Sequence, residues 1–440
     1  MTLTAVVTNN FYVGIVDAVK LALALVKVAT LVAAICIYFS LVVCCCSESL
    51  NIQLLLYQAN ILLVSINIIS FNWFRNSYWI VCIVVTKMLQ TRLTQILSIK
   101  YPIILPGMSW ISTPQLVAAV SNAGGLGILA TGPLSAEQTR HSIREVRKLT
   151  DKPFGIGCTL LMPGAKENAE VALQEQVPVI NFSLGKADWL VQECHRYGGK
   201  VIATVVNEKH ARSAVDIGVD ALMATGHEAA AHGGDVTSLV LTPALAGRFK
   251  DTPVICAGGI ADGRGLLAML SLGAEGVAMG SRFATTLESP LHENIKKTIV
   301  TQSESDTIYG KNFDGLYARV LKTHEAVRAM RSPMNPISAA VKAFAAAKLI
   351  NLPLWKVIPG LLTQYDKMYQ LALFGAATEK LMAATIAGDL DHGVQFVGQS
   401  QGLIDDIPSV DELVQRMVAE AIAQHEAVGA KLGLQYLVRA

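Results

Sequence analysis

The 440-residue sequence has few charged residues, few cysteines and almost no net charge. Charged side chains make up 16% of the chain, whereas about 25% is usual in a globular protein. The net charge of +2 provides no basic field for nucleic acid, and 8 cysteines are too few for a fold built on disulfides. Hydrophobic residues, at 52%, are too abundant for intrinsic disorder. These exclusions leave two classes, a membrane protein or a hydrophobic enzyme.

The shortage of charged residues is concentrated in residues 1–87, which contain only six of them, together with one glycine and no proline. Val28–Cys46 and Ser49–Phe74 are uncharged runs of 19 and 26 residues, close to or above the roughly 20 that span a membrane. No signal peptide is evident, because Asp17 and Lys20 interrupt the early apolar stretch. We expect a hydrophobic extension, which is either a membrane anchor for a cytoplasmic catalytic domain or upstream sequence joined to a true start at Met88.

After Tyr101, short apolar runs alternate with amphipathic stretches. This rhythm predicts right-handed βαβ units and a parallel sheet, and eight such units favour an α/β fold of the TIM-like (β/α)8 barrel type over residues 88–299. The apolar runs are Pro102–Leu105, Leu126–Ala130, Phe154–Leu161, Val177–Phe182, Lys200–Val206, Asp220–Ala224, Pro253–Ala257 and Gly276–Met279.

Beyond about residue 300 the strand signals stop. Ala339–Lys348, Tyr365–Ala387 and Val410–Leu432 have helical patterns. We therefore predict a C-terminal helical cap over residues 300–440 that covers the mouth of the barrel, meaning the end where the strands finish.

Two glycine turns follow the seventh and eighth predicted strands. Gly258 and Gly259 follow the seventh, and Gly280 and Ser281 follow the eighth. Since phosphate sites of such barrels lie at these strand ends, the bare backbone N–H groups predict an anion site. The alternative is that the glycines only make tight turns.

A histidine-containing loop follows the sixth predicted strand. His232 lies among small residues there, and a neutral imidazole in that position can take a proton from carbon or supply one. A metal site with His227 and Glu228 is the alternative, although a spacing of five differs from the i, i+4 of a helical zinc pair. The first strand ends with Gly107 and Met108, and the Met108 thioether either lies against a ring face or belongs to the core.

Five stretches together resemble the nitronate monooxygenase (2-nitropropane dioxygenase-like) flavoproteins. That group includes NAD(P)H:quinone reductases and FMN-dependent enoyl reductases, and the resemblance extends over about residues 88–440. The stretches are Tyr101–Trp110, Asn122–Gly127, Gly226–Gly234, Ala257–Gly265 and Met279–Phe283.

The resemblance implies a non-covalently bound FMN. It assigns the FMN phosphate to Gly258, Gly259, Gly280 and Ser281, the isoalloxazine to Gly107 and Met108, and the active-site histidine to His232. Gly157 and Thr204 stand where many relatives carry an asparagine and a lysine beside the flavin, which leaves the substrate open.

The activity implied first is oxidation of alkyl nitronates with O2 to a carbonyl compound and nitrite. An NAD(P)H:quinone reductase or an enoyl reductase is the alternative, and a flavin-free phosphate-binding barrel enzyme is a more distant one. The expected partners are therefore O2 and a small molecule (nitronate, quinone or NAD(P)H), without nucleic acid or a metal ion. Membrane contact is expected only through residues 1–87.

Overall fold

The computed structural model describes residues 67–70, 81–84, 89–162, 164–331 and 365–433. The chain divides into two compact units, residues 1–88 and 89–440. In the first unit, the strand Asn67–Ser70 pairs antiparallel with Val81–Val84. The run Val28–Cys46 and the remainder of Ser49–Phe74 lie outside the described residues. No helix in the described part of the chain is both long and apolar enough to cross a bilayer.

The second unit contains a closed barrel of eight parallel strands in sequential order. Pairing of Val277 with Ile103 joins the last strand to the first and closes the barrel. The predicted TIM-like (β/α)8 barrel is confirmed. Its strands are β1 (Ile103–Leu105), β2 (Leu126–Ala130), β3 (Phe154–Thr159), β4 (Val179–Ser183), β5 (Lys200–Val205), β6 (Ala221–Thr225), β7 (Val254–Ala257) and β8 (Gly276–Ala278).

Local sequence signals fix where the surrounding helices begin. Ser135 and Gln138 form a reciprocal capping box, and Asn207 and Asp262 each accept a backbone N–H of the helix that follows them. The helices of the barrel region are α1 (Arg92–Leu97), α2 (Pro114–Asn122), α3 (Ala136–Leu149), α4 (Ala165–Gln174), α5 (Asp188–Arg196), α6 (Glu208–Asp216), α7 (Ser238–Arg248), α8 (Gly263–Ser271), α9 (Ser281–Ala284) and α10 (Glu293–Ile299).

The helix α1 closes the base of the barrel, meaning the end where the strands begin. Leu93 and Leu97 are buried in one apolar cluster with inward-facing strand residues such as Ile104 and Ile202. Arg92 donates to the carboxylate of Glu275, just before β8. A second, larger cluster fills the space between the strands and the outer helices. The base is therefore sealed, and the mouth is the accessible end.

The C-terminal region corrects one prediction. The expectation that strands end near residue 300 is wrong, because β9 (Thr307–Gly310) and β10 (Ala318–Leu321) form an antiparallel hairpin. Its strands are four residues long, too short for a periodic signal. The other elements are α11 (His324–Arg331), α12 (Tyr365–Thr385), a 3₁₀ helix (Gln399–Leu403) and α13 (Val410–Lys431).

Two of the predicted C-terminal helices are present as α12 and α13, and the predicted helix Ala339–Lys348 lies outside the described residues. The helix α13 packs against α8, where Glu420 accepts a hydrogen bond from the Gly263 N–H. The hairpin and the segment 396–401 contact the loop between β6 and α7. At this loop of the mouth, a short β-hairpin thus takes the place of the helices that we expected to cover the barrel.

Candidate functional site

The nine residues proposed for the site all follow, or lie at the end of, a barrel strand. They belong to six of the eight strand ends and so surround the mouth: Gly107 and Met108 (β1), Gly157 (β3), Thr204 (β5), His232 (β6), Gly258 and Gly259 (β7), Gly280 and Ser281 (β8). Ser281 is buried, and the other eight retain some exposure.

Bare backbone forms one side of the mouth. A Cβ atom built on Gly107 would lie 3.5 Å from the Gly157 Cα, so these two glycines face each other across the strand ends. A Cβ on Gly280 would lie 3.3 Å from the Met108 sulfur. Gly107, Met108, Gly157 and Gly280 therefore form one continuous surface without bulky side chains, apart from the Met108 thioether.

The glycine turns after β7 and β8 present unpaired donors. Among the described residues, nothing accepts a hydrogen bond from the backbone N–H groups of Gly258, Gly259, Gly280 or Ser281. Gly258 and Gly259 have φ of +109° and +76°, which disfavours any residue with a Cβ. Their added Cβ atoms would press on Ala229 and Glu228, so tight packing also requires glycine there. Both the turn and the anion interpretations fit these residues.

Ser281 links the β8 turn to the C-terminal segment. Its hydroxyl oxygen accepts a hydrogen bond of 2.9 Å from the Gly398 N–H, and its own hydrogen stays available to a ligand. A Cβ on Gly398 would lie 2.9 Å from the Ala230 nitrogen and the Glu228 carbonyl oxygen. The segment 396–401 is therefore packed tightly against the loop that carries His232.

His232 is paired with a buried carboxylate that the sequence did not reveal. Its Nε2 lies 2.7 Å from the Asp314 Oδ2, and the Asp314 side chain is only 4% exposed. The His232 ring meets Phe396 edge to face at 5.8 Å between centroids, and Phe396 meets Phe313 in the same way at 5.7 Å. The imidazole therefore lies between a charged partner and an apolar wall.

The hairpin that carries Asp314 is fastened to the His232 loop. Ala231 and Arg319 exchange two backbone hydrogen bonds of 3.2 and 3.0 Å. The Arg319 guanidinium donates to the His227 carbonyl oxygen and lies over the Tyr309 ring. Burial lowers the pKa of Arg319, although an arginine remains charged at neutral pH. This arginine therefore holds the loop and the hairpin together.

The alternative metal site finds little support in the side-chain arrangement. His227 Nδ1 lies 3.1 Å from the Gly234 carbonyl oxygen. The Glu228 carboxylate accepts hydrogen bonds from the Ser238 N–H and hydroxyl at the start of α7. In the described parts of the chain, no group of three or more His, Cys, Asp or Glu side chains is placed to hold a metal ion.

Sequence reasoning missed four residues of the mouth: Asn181, Phe313, Asp314 and Phe396. Asn181 is 8% exposed on β4, and its amide donates 3.0 Å to the Thr204 hydroxyl. The alternation of inward and outward residues along β4 was the signal that could have identified it. The other three come from the C-terminal region, where no local pattern indicated that they approach the barrel.

Comparisons with known proteins show which family and which solved structures this chain is similar to. A family model described as nitronate monooxygenase matches residues 90–173 and 164–420. A Rhodococcus jostii protein named (3aS,4S,5R,7aS)-5-hydroxy-7a-methyl-1-oxo-octahydro-1H-indene-4-carboxyl-CoA dehydrogenase is 34% identical over 78% of this chain and 98% of its own. A probable nitronate monooxygenase of Staphylococcus aureus is 33% identical over 52% and 78%. The structure of FabK from Thermotoga maritima superposes with a TM-score of 0.66 at 36% identity, covering 78% of this chain and 99% of that one.

Proposed function

Because the chain belongs to the nitronate monooxygenase family, we propose that it is an FMN-dependent oxidoreductase acting at carbon next to a carbonyl or nitro group. The observation that carries this proposal is the His232–Asp314 pair at a mouth lined with bare backbone. A general base is needed to move a proton at such a carbon, and a histidine is the usual choice near neutral pH.

The residues of the mouth fit the FMN that the family implies. Four N–H groups without an acceptor in the described part of the chain, at Gly258, Gly259, Gly280 and Ser281, suit the phosphate, and the surface around Gly107 admits a flat ring. When bound, FMN supplies the two-electron chemistry by accepting a hydride or returning one. Gly157 and Thr204 leave that surface without the amide and ammonium groups that many relatives provide.

The chain's own residues then bind the substrate and move its proton. The His232 imidazole takes a proton from the carbon next to the electron-withdrawing group, or returns one in the reductive direction. Phe396 and Phe313 exclude water from one side of the ring, which keeps the imidazole available to the substrate. Asn181 and Thr204 contribute the neutral polar groups that face the mouth from β4 and β5.

We place an acyl thioester first among the substrates. The Rhodococcus relative, which this chain matches over 98% of its length, is named as a dehydrogenase of a carboxyl-CoA compound. Enoyl reduction with NAD(P)H is the same chemistry in reverse. Nitronate oxidation with O2 is the second candidate, supported by the family model and by the Staphylococcus relative.

Anaerobic mixing tests the proposal. The FMN-loaded protein is combined separately with NADH or NADPH, a saturated acyl-CoA and an alkyl nitronate, and the visible flavin absorbance is followed. Bleaching by NAD(P)H or acyl-CoA, reversed by an enoyl-CoA, supports the first candidate. Bleaching by the nitronate alone supports the second.

Variants of two histidines complete this test. His232→Ala is expected to keep FMN and to slow turnover by roughly 10² or more, as for a lost general base. His210→Ala, on the exposed face of α6, is the matched control and should be unchanged. A protein that takes up no FMN would contradict the proposal and favour the flavin-free phosphate-binding enzyme.

A further inference from the structure

Building on the proposed function, we propose that Asp314 is a positioning residue that fixes the His232 ring in one tautomer, so that Nδ1 is the atom that exchanges protons with the substrate. The juxtaposition of these two side chains is made by the β9–β10 hairpin, whose connecting segment carries Asp314 to the barrel mouth.

The Asp314 carboxylate is held through both oxygens. Oδ2 lies 2.7 Å from His232 Nε2, and Oδ1 accepts a hydrogen bond of 3.1 Å from the Leu316 N–H. Within the described residues, no lysine or arginine nitrogen lies within ion-pair distance of this carboxylate, so His232 is its only ion-pair partner there. A carboxylate at 4% exposure is costly unless it is partnered, which indicates that its interaction with His232 is a specific feature of the fold.

The contact determines which ring nitrogen carries the proton. An ionised carboxylate only accepts hydrogen bonds, so the nitrogen that faces it, Nε2, must be the N–H donor. In a neutral imidazole the other nitrogen then has a free lone pair. No described residue hydrogen-bonds to His232 Nδ1, which is therefore open to a substrate.

Aromatic contacts and the rest of the hairpin surround the ring and its loop. Phe313, which precedes Asp314, contacts Phe396, and Phe396 contacts the His232 ring. On the other side, Arg319 of β10 is bonded to Ala231, the neighbour of His232. One hairpin thus holds the histidine ring through Asp314, 82 positions further along the chain, and the backbone of the preceding residue through Arg319.

Asp314→Asn is the most informative variant because the local hydrogen bonds determine the orientation of the asparagine amide. The Leu316 N–H requires an acceptor at the Oδ1 position, so the asparagine oxygen is expected there and its NH2 group towards His232. Because an NH2 group only donates hydrogen bonds, the Nε2 that faces it must be unprotonated and accept one. The ring proton therefore moves to Nδ1. The variant is nearly isosteric and should move the proton without changing the fold.

The experiment measures the tautomer and the kinetics separately. In protein labelled with ¹⁵N-histidine, we expect a protonated Nε2 and a bare Nδ1 for His232 in the wild type, and the reverse in Asp314→Asn. We expect kcat to fall by roughly 10² to 10⁴, as for a base with the wrong tautomer or a lost base, with little change in KM. Asp306→Asn, which changes a half-buried acid bonded to Ser303 at the start of the same hairpin, is the control and should change neither.

The outcomes distinguish this inference from the proposed function. A wild-type spectrum with the proton on Nδ1 overturns the inference even if no variant folds. Unchanged kcat and tautomer in Asp314→Asn, with a strong loss in His232→Ala, overturns the inference alone. A reversed tautomer in Asp314→Asn, together with full activity in His232→Ala, supports the positioning of the ring by Asp314 but overturns proton exchange at Nδ1 and with it the role of His232 in the proposed function.

Discussion

Two histidine–aspartate pairs stand at opposite ends of the same barrel with the same separation. At the base His195 Nε2 lies 2.7 Å from Asp220, and at the mouth His232 Nε2 lies 2.7 Å from Asp314. Asp220 also pairs with Lys200 and accepts the Val201 N–H, and it is 15% exposed. Asp314, at 4% exposed, has His232 as its only ion-pair partner among the described residues. Distance alone therefore does not distinguish the pair at the base from the pair that we propose to act in catalysis.

The difference extends to the surroundings of each pair. At the base, α1 closes the barrel with leucines, and backbone groups such as the Val201 N–H have partners. At the mouth, N–H groups of the glycine turns have no acceptor among the described residues, and the glycines of these turns retain some exposure. Closed packing of this kind stabilises a fold, whereas unpaired donors in an accessible cleft suit a ligand. The comparison predicts that substitutions at the base change stability and those at the mouth change activity.

The largest effect on stability is expected from Leu93→Ala. Leu93 of α1 is fully buried against inward-facing strand residues at the base of the barrel. Truncation of its side chain leaves a cavity there. We expect a loss of about 2 to 5 kcal/mol in the free energy of unfolding, measured by denaturant titration, with kcat of the folded enzyme unchanged.

The control for this prediction is Gln95→Ala on the exposed face of the same helix, where a change within about 0.5 kcal/mol is expected. A fall in kcat for folded Leu93→Ala would show that the base and the mouth are coupled. The separation of stability from activity would then be wrong.

The same contrast explains what could be predicted from the sequence. Each barrel unit carries its own apolar run and often its own cap, as at Ser135, so local signals were sufficient for the barrel. The hairpin has four-residue strands that depend on tertiary contacts, above all those of Arg319. Asp314 meets His232 across 82 positions, and no periodicity reports such a contact. The resemblance to the nitronate monooxygenase family is confirmed, and the roles of the nine site residues stay predictions.

A smaller effect is expected from Gly259→Ala at the mouth. At φ of +76° a residue with a Cβ costs about 1 to 2 kcal/mol, and the added atom would lie 3.1 Å from the Glu228 carboxylate. Because Gly259 supplies one of the N–H groups that have no acceptor among the described residues, FMN affinity should fall by roughly 10-fold, the equivalent of about one such hydrogen bond. Fluorescence of released flavin measures this change.

Gly198→Ala is the matched variant at the base. Gly198 has a similar φ of +82°, and a Cβ there would meet nothing within 4 Å. The backbone strain is therefore similar, but no contact like that with Glu228 and no ligand site is involved. A loss of stability in both variants, no smaller in Gly259→Ala, with weaker FMN binding in Gly259→Ala alone, is the expected pattern. Weaker binding in both would mean that global stability, not the turn after β7, controls FMN affinity.

The smallest effect is expected from His195→Ala, which removes the histidine of the base pair. The His195 side chain is 39% exposed, and Asp220 retains Lys200 and the Val201 N–H after the substitution. An exposed ion pair of this kind contributes about 0 to 1 kcal/mol, so the melting temperature should change little and kcat should not change. Comparison with His232→Ala tests whether the two pairs differ in function because Asp314 is more deeply buried than Asp220 and lacks a second ion-pair partner among the described residues. A His195→Ala enzyme as impaired as His232→Ala would show that they do not.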